Sequence, residues 1–177
     1  VRFTQSGYSV RFGVREGKDV ASLLERCSGR ASACALAEAA EWADLIVLAV
    51  PSKAALEAAR SLGEVPGKVV VDATNPLTWD AGPVHAPPPE GSNARAIAAT
   101  LDGAHVVKAW NTFGAEFHID PAVGDTSADL YFAGDDEAAK QTVADVASRC
   151  GWEPVDCGPL RNAAVLENLA ILWIHLA

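Results

Sequence analysis

Methionine is absent from this 177-residue sequence, tyrosine occurs twice, and aromatic side chains amount to 7%. A chain that begins at Val1 without any methionine reads as an internal part of a longer reading frame. Runs of lysine and arginine are also missing. The 14 basic residues face 23 acidic ones for a net charge of -9, which excludes a surface built to hold nucleic-acid phosphates. No apolar stretch approaches the ~20 residues of a membrane span. The nearest, 169–176, reads as a packed helix, and no secretory leader is visible. The four cysteines, Cys27, Cys34, Cys150 and Cys157, lack C-x-x-C spacing, and no histidine is placed to complete a zinc site. They read as reduced thiols of a cytoplasmic protein.

What is present is an alternation. Short β-branched runs at 8–12, 45–50, 69–73, 105–109 and 130–133 read as strands, with a weaker edge strand at 153–157 where a proline is tolerated. Helical spacing appears at 19–27, 33–42, 53–62, 94–101 and 136–150, and again from about 160 to the end. The run at 45–50 is apolar throughout, as expected of a strand buried on both faces. Strands and helices alternating at this spacing imply βαβ units and a largely parallel sheet, so the fold class is α/β, a Rossmann-type dinucleotide-binding domain occupying 1–177. The proline-rich stretch 86–91 is a loop inside that domain.

Ligands of open α/β sheets sit outside the carboxyl ends of the strands, so the residues just past each strand are the candidates. After the first come Gly13, Val14 and Arg15, followed by Glu16 and Lys18. An acidic residue there accepts from the ribose hydroxyls of NAD, whereas an arginine suits the 2′-phosphate of NADP, with a solvated surface arginine as the plain alternative. Ala49, Val50 and Pro51 end the second run, and Ser52 is placed either to contact a ribose or to cap a helix. Asn75 and Pro76 follow the third run as nicotinamide contacts or a simple turn. Ala109, Trp110, Asn111 and Thr112 follow the fourth, where Trp110 is a floor for a flat ring or a core residue. Asp72 reads as a hydrogen-bonded structural carboxylate. The histidines, His85 included, show no ligand spacing.

One expected piece is not in view. The glycine-rich G-x-G-x-x-G turn that receives the pyrophosphate at a helix N-terminus has no match. Residues 1–6 then read as the last turn of the first helix and Gly7 as the residue that ends it, which places a strand and most of a helix upstream, roughly 15 to 20 residues. The pyrophosphate site would be incomplete, and the expectation is weak NADPH binding by 1–177 alone. The final helix has no stop signal.

The blocks S-G-Y-S-V-R-F-G-V-R (6–15), A-D-L-I-V-L-A-V-P (43–51), V-V-V-D-A-T-N-P-L (69–77), V-V-K-A-W-N-T-F-G-A-E (106–116) and D-C-G-P-L (156–160), with Leu166-Glu167, resemble the NADPH-dependent F-420 reductase family. That family is similar to the reductase domain of the STEAP metalloreductases. The resemblance implies an NADP-dependent oxidoreductase that moves hydride directly between NADP(H) and the deazaflavin coenzyme F-420, with no side-chain nucleophile. It places Gly13, Val14 and Arg15 at the 2′-phosphate, and Ala49, Val50 and Pro51 along the middle of the nucleotide. Asn75, Pro76 and the segment Trp110–Thr112 fall near the nicotinamide and acceptor. It also implies a homodimer through C-terminal helices and a small-molecule acceptor. Val14 departs from the serine frequent at its position. Reduction of a flavin, a metal chelate or a small imine is the alternative, and a non-enzymatic NADP-binding module is a second.

Overall fold

The computed structural model describes residues 1–177. In chain order the elements are α1 (Arg2–Gln5), β1 (Val10–Gly13), α2 (Ala21–Glu25), β2 (Ala31–Cys34), α3 (Leu36–Trp42), β3 (Leu45–Leu48) and α4 (Ala55–Arg60). Then come β4 (Val69–Asp72), β5 (Leu77–Trp79), β6 (Pro83–His85), α5 (Asn93–Thr100), β7 (His105–Lys108), β8 (Ala122–Val123) and β9 (Thr126–Ser127). The last are β10 (Asp129–Gly134), α6 (Glu137–Arg149), β11 (Glu153–Asp156) and α7 (Ala163–Leu176).

Five strands form the main sheet in the order β11-β10-β7-β4-β3. β3, β4 and β7 run parallel, and β10 is antiparallel to β7. β1 and β2 make a separate parallel pair, so β1 and β3 each keep one edge without a strand partner. Side chains alternate across the sheet. Ile46, Leu48, Val70 and Val106 pack with Ala58, Ala59, Ala94 and Ile97 of α4 and α5 on one face. Val71 and Val107 pack with Ala139, Val143 and Ala147 of α6 on the other. Burial on both faces explains the uninterrupted apolar runs.

Local signals in the sequence account for several boundaries. Asp136 caps α6 by accepting from the Ala139 N–H at 2.8 Å, and Glu137 adds negative charge to the first turn. Gly7 ends α1 at φ 92°: its own N–H reaches the Thr4 carbonyl at 3.2 Å and the Tyr8 N–H reaches Phe3 at 3.0 Å, the paired bonds of a glycine-terminated helix. Lys68 donates to the carbonyls of Ala40, Glu41 and Ala43 at 2.7–2.8 Å, closing the C-terminal end of α3.

Two regions differ from the sequence expectation. The helix expected from residue 33 starts only at Leu36, because Ala31–Cys34 pairs in register with Val10–Gly13 and strand pairing overrides alanine's helix preference. Residues 77–85, to which the sequence reading assigns no element, form a hairpin in which Leu77 faces His85 and Trp79 faces Pro83. Its β-branched and aromatic residues, Thr78, Trp79 and Val84, around the tip Asp80-Ala81-Gly82 were the available signal. No helix is long and apolar enough to cross a membrane.

Candidate active site at the carboxyl ends of the strands

The parallel register sets the floor of the site. Asp72 and Lys108 are the last residues of β4 and β7 and stand side by side across the ladder. Both are fully buried, on the face covered by α5 and α7. Lys108 Nζ donates to Asp72 Oδ2 at 2.8 Å, to Glu167 Oε1 of α7 at 3.1 Å, and to the Thr74 carbonyl. Asp72 Oδ1 accepts from the Thr74 N–H at 2.9 Å and from its hydroxyl at 2.7 Å. Glu167 Oε1 also accepts from the Asn93 N–H at 2.9 Å, while Oε2 lies 3.2 Å from His85 Nε2. The Asn93 amide donates to Thr74 Oγ1 at 2.6 Å and to Ser52 Oγ at 2.8 Å. One buried polar network thus ties β4, β7, α5, α7, the β5–β6 hairpin and the loop after β3 into a single frame. Low surrounding polarity strengthens each bond and makes each loss expensive.

On that frame sits an amide pair. Asn75 and Asn111 face each other: Asn111 Nδ2 donates to Asn75 Oδ1 at 2.8 Å and to the Leu166 carbonyl at 3.1 Å, and Asn75 Nδ2 donates to the Asn111 carbonyl at 2.8 Å. Asn111 Oδ1 is buried and accepts nothing. A buried side-chain oxygen without a partner is an exception to the usual pairing of buried polar groups.

The other expected residues divide. Gly13 ends β1 in close contact with α3, where an added Cβ would stand 3.1 Å from the Leu36 Cα, and the Val14 N–H extends the pairing to the Cys34 carbonyl at 2.9 Å. Arg15 beyond them is exposed and makes no ion pair within the chain. Ala49 and Pro51 are exposed at the end of β3, Val50 and Thr112 are half-buried, and Pro76 is buried. All of these lie at the carboxyl edge.

Ala109 and Trp110 do not present side chains there, and of the two readings of Trp110, ring floor or core residue, the structure shows the core residue. Ala109 is fully buried. Trp110 turns inward, edge-on to Phe3 at 5.7 Å and to Trp152 at 5.9 Å. Its backbone takes φ 58°, a left-handed conformation costing a bulky residue about 1–3 kcal/mol. The aromatic packing draws the indole into the core and the kink delivers Asn111 to the rim. Phe113 stacks on Trp152 at 6.0 Å and meets the His118 ring at 4.9 Å. Partial burial holds the His118 imidazole below its ordinary pKa, with the Glu116 carboxylate pulling the other way.

Lys108, Glu167, Asn93 and His85 were given no role at the site by the sequence reading. A signal for the first existed: V-V-V-D and V-V-K end two apolar runs on opposite charges at matching positions.

Residues 1–76 match the family described as NADP oxidoreductase, coenzyme F-420-dependent. The F-420-dependent NADP reductase of Methanothermobacter marburgensis is 30% identical over 200 residues, which span 99% of this chain and 84% of that protein. The chain belongs to the F-420-dependent NADP reductase family. Members of this family are NADP-dependent oxidoreductases. A solved structure from Arthrobacter sp. FB24, itself assigned as an F-420-dependent NADP reductase, superposes with a TM-score of 0.86 at 28% identity, covering 99% of this chain and 85% of that one. Rat metalloreductase STEAP3 is 29% identical over 170 residues, 96% of this chain but 33% of the rat protein. The Rossmann-type reading of the sequence therefore holds across the chain, and the family match includes β1 and the ends of β3 and β4, where the candidate residues cluster.

Proposed function

We propose that this reductase transfers hydride directly between NADP(H) and a deazaflavin, coenzyme F-420, across the amide pair at the strand ends. Bound NADPH supplies the hydride. The chain's own residues bind, orient and exclude water. The observation that carries the reading is the buried, unpartnered Asn111 Oδ1, which fits the carboxamide N–H of a nicotinamide. Arg15 and Lys18 would hold the 2′-phosphate by charge-assisted bonds, and Gly13, Val14, Ala49, Val50 and Pro51 would follow the nucleotide between. Pro76 and Thr112 would border the ring. The free edges of β1 and β3 suit a further strand bearing the phosphate-binding turn. Val165, Leu172 and Leu176, exposed on α7, support association into a homodimer.

No side chain forms a bond to substrate in this reading, so rate comes from holding two rings in contact with the C4–H bond aimed at the acceptor carbon. Transfer of the label from C4-deuterated NADPH to oxidised F-420 tests it. Deuterium on the carbon of reduced F-420 is expected, and deuterium lost to water would refute direct transfer. Asn111→Ala should weaken NADPH binding about tenfold, the value of one hydrogen bond of ~1.4 kcal/mol. A fluorescence titration with an unchanged dissociation constant would remove Asn111 from the carboxamide site.

A further inference from the structure

We infer that His85, oriented by Glu167, is the residue that delivers a proton to the acceptor as the hydride arrives. This rests on the hydride-transfer reading. A hydride brings two electrons and one proton, so adding it to a conjugated ring or an imine leaves an electron pair on a heteroatom. A second proton must follow, and NADPH does not carry it. The residues at the strand ends, Ser52, Thr74, Asn75, Asn111 and Thr112, are alcohols and amides that release no proton near neutral pH. Lys108 is fully buried, and its three N–H bonds are directed to Asp72, Glu167 and the Thr74 carbonyl.

His85 stands apart from these. It occupies the end of β6, opposite Leu77, in the hairpin that springs directly from Asn75 and Pro76. The neighbouring Ala86 N–H donates to the Pro76 carbonyl at 2.8 Å, which fixes this end of the hairpin at the rim of the site. The imidazole is 17% exposed, open enough to exchange protons with water, while its partner Glu167 is 0% exposed. Nε2 is 3.2 Å from Glu167 Oε2, and Nδ1 makes no hydrogen bond within the protein. Glu167 is in turn fixed by Lys108 and the Asn93 N–H. That is the arrangement of an acid–base residue held by a carboxylate: one ring nitrogen anchored, the other free to act. Asp72 and Glu167 set two carboxyl groups around the one amine of Lys108, and the imidazole lies against the second of them. His175, on the last turn of α7, lies further along the hairpin against Gly82.

The C4–H bond of NADPH breaks with its electron pair and a C–H bond forms on the acceptor. The Nδ1–H bond of His85 breaks and an N–H or O–H bond forms on the acceptor heteroatom, leaving neutral imidazole with its Nε2–H toward Glu167. Water then restores the proton. In the reverse direction His85 takes that proton as a base.

The test uses the full chain with C4-protonated NADPH and oxidised F-420 in single-turnover mixing, in water and in deuterium oxide. The wild type should show a solvent isotope effect. His85→Gln keeps a donor for Glu167 but cannot relay a proton, and should slow reduction about 10²–10⁴-fold. It should lose the solvent isotope effect and leave NADPH affinity within about threefold. A His85→Gln enzyme as fast as the wild type, with the same solvent isotope effect, would overturn the proposal and leave His85 a structural latch. A wild type that binds NADPH but passes no hydride to F-420 or free flavin would overturn the hydride-transfer reading and this inference with it. A readout independent of turnover is the nitrogen NMR spectrum of the His85 ring in the protein alone. It should show the proton of the neutral ring on Nε2, and a proton on Nδ1 instead would overturn the proposal even if His85→Gln failed to fold.

Discussion

Lys108→Met should lower the free energy of unfolding by about 3–5 kcal/mol, because it leaves Asp72 and Glu167 buried without a countercharge. For a chain of this size that corresponds to a fall in melting temperature of roughly 10 °C or more. Methionine fills nearly the same volume as the lysine stem, so a cavity contributes little. The loss should be specific to charge. Adding Asp72→Asn and Glu167→Gln to Lys108→Met replaces the stranded carboxylates with neutral amides, and should recover a large part of the stability. Urea unfolding of the single and triple variants measures both. A Lys108→Met loss below about 1 kcal/mol would mean that the three groups are not held as a buried charged cluster. The same single variant should reduce turnover further than its stability predicts, since Thr74 and Glu167 both take their positions from Lys108.

Arg15→Ala should reduce the preference for NADPH over NADH about 10–100-fold, the value of charge-assisted bonds of ~1.5–3 kcal/mol to a phosphate. Arg15 is exposed and unpaired within the chain, so its removal should leave stability unchanged to within about 0.5 kcal/mol. The effect belongs in the dissociation constant for NADPH, which in the wild type should weaken as salt screens the phosphate. NADH, lacking the 2′-phosphate, should bind both enzymes alike. An unchanged NADPH-to-NADH ratio would return Arg15 to the role of a solvated strand-end residue, and Lys18 would become the next residue to test.

The fold was legible where the physics is local. The uninterrupted run at β3, the capped and charge-biased start of α6, and the glycine after α1 each carry their structural cause within a few residues, and each element formed where expected. β2 was not legible, because an alanine-rich segment becomes a strand only when Val10–Gly13 lies beside it. The site was legible as positions rather than as contacts. Reading the residue past each strand picked out Arg15, Pro51, Asn75 and Asn111, and the fold sets all four just beyond strand ends. It left Trp110 open between a ring floor and a core residue, because nothing in the local sequence tells that its backbone turns left-handed and sends the indole between Phe3 and Trp152. The charged frame below was hidden by distance along the chain. Lys108 lies 36 residues from Asp72 and 59 from Glu167, and His85 lies 82 from Glu167, so no window of sequence contains any of these pairs. Asp72 alone reads as a structural carboxylate. Its role as one corner of a network under the amide pair exists only in three dimensions.

The most direct test of the central claim is NADPH oxidation by the full chain with oxidised F-420 as acceptor and free flavin as control. Turnover with F-420 and little or none with flavin is the expected result. NADPH binding without turnover on F-420, or faster turnover on flavin, would contradict the assignment of the deazaflavin as acceptor.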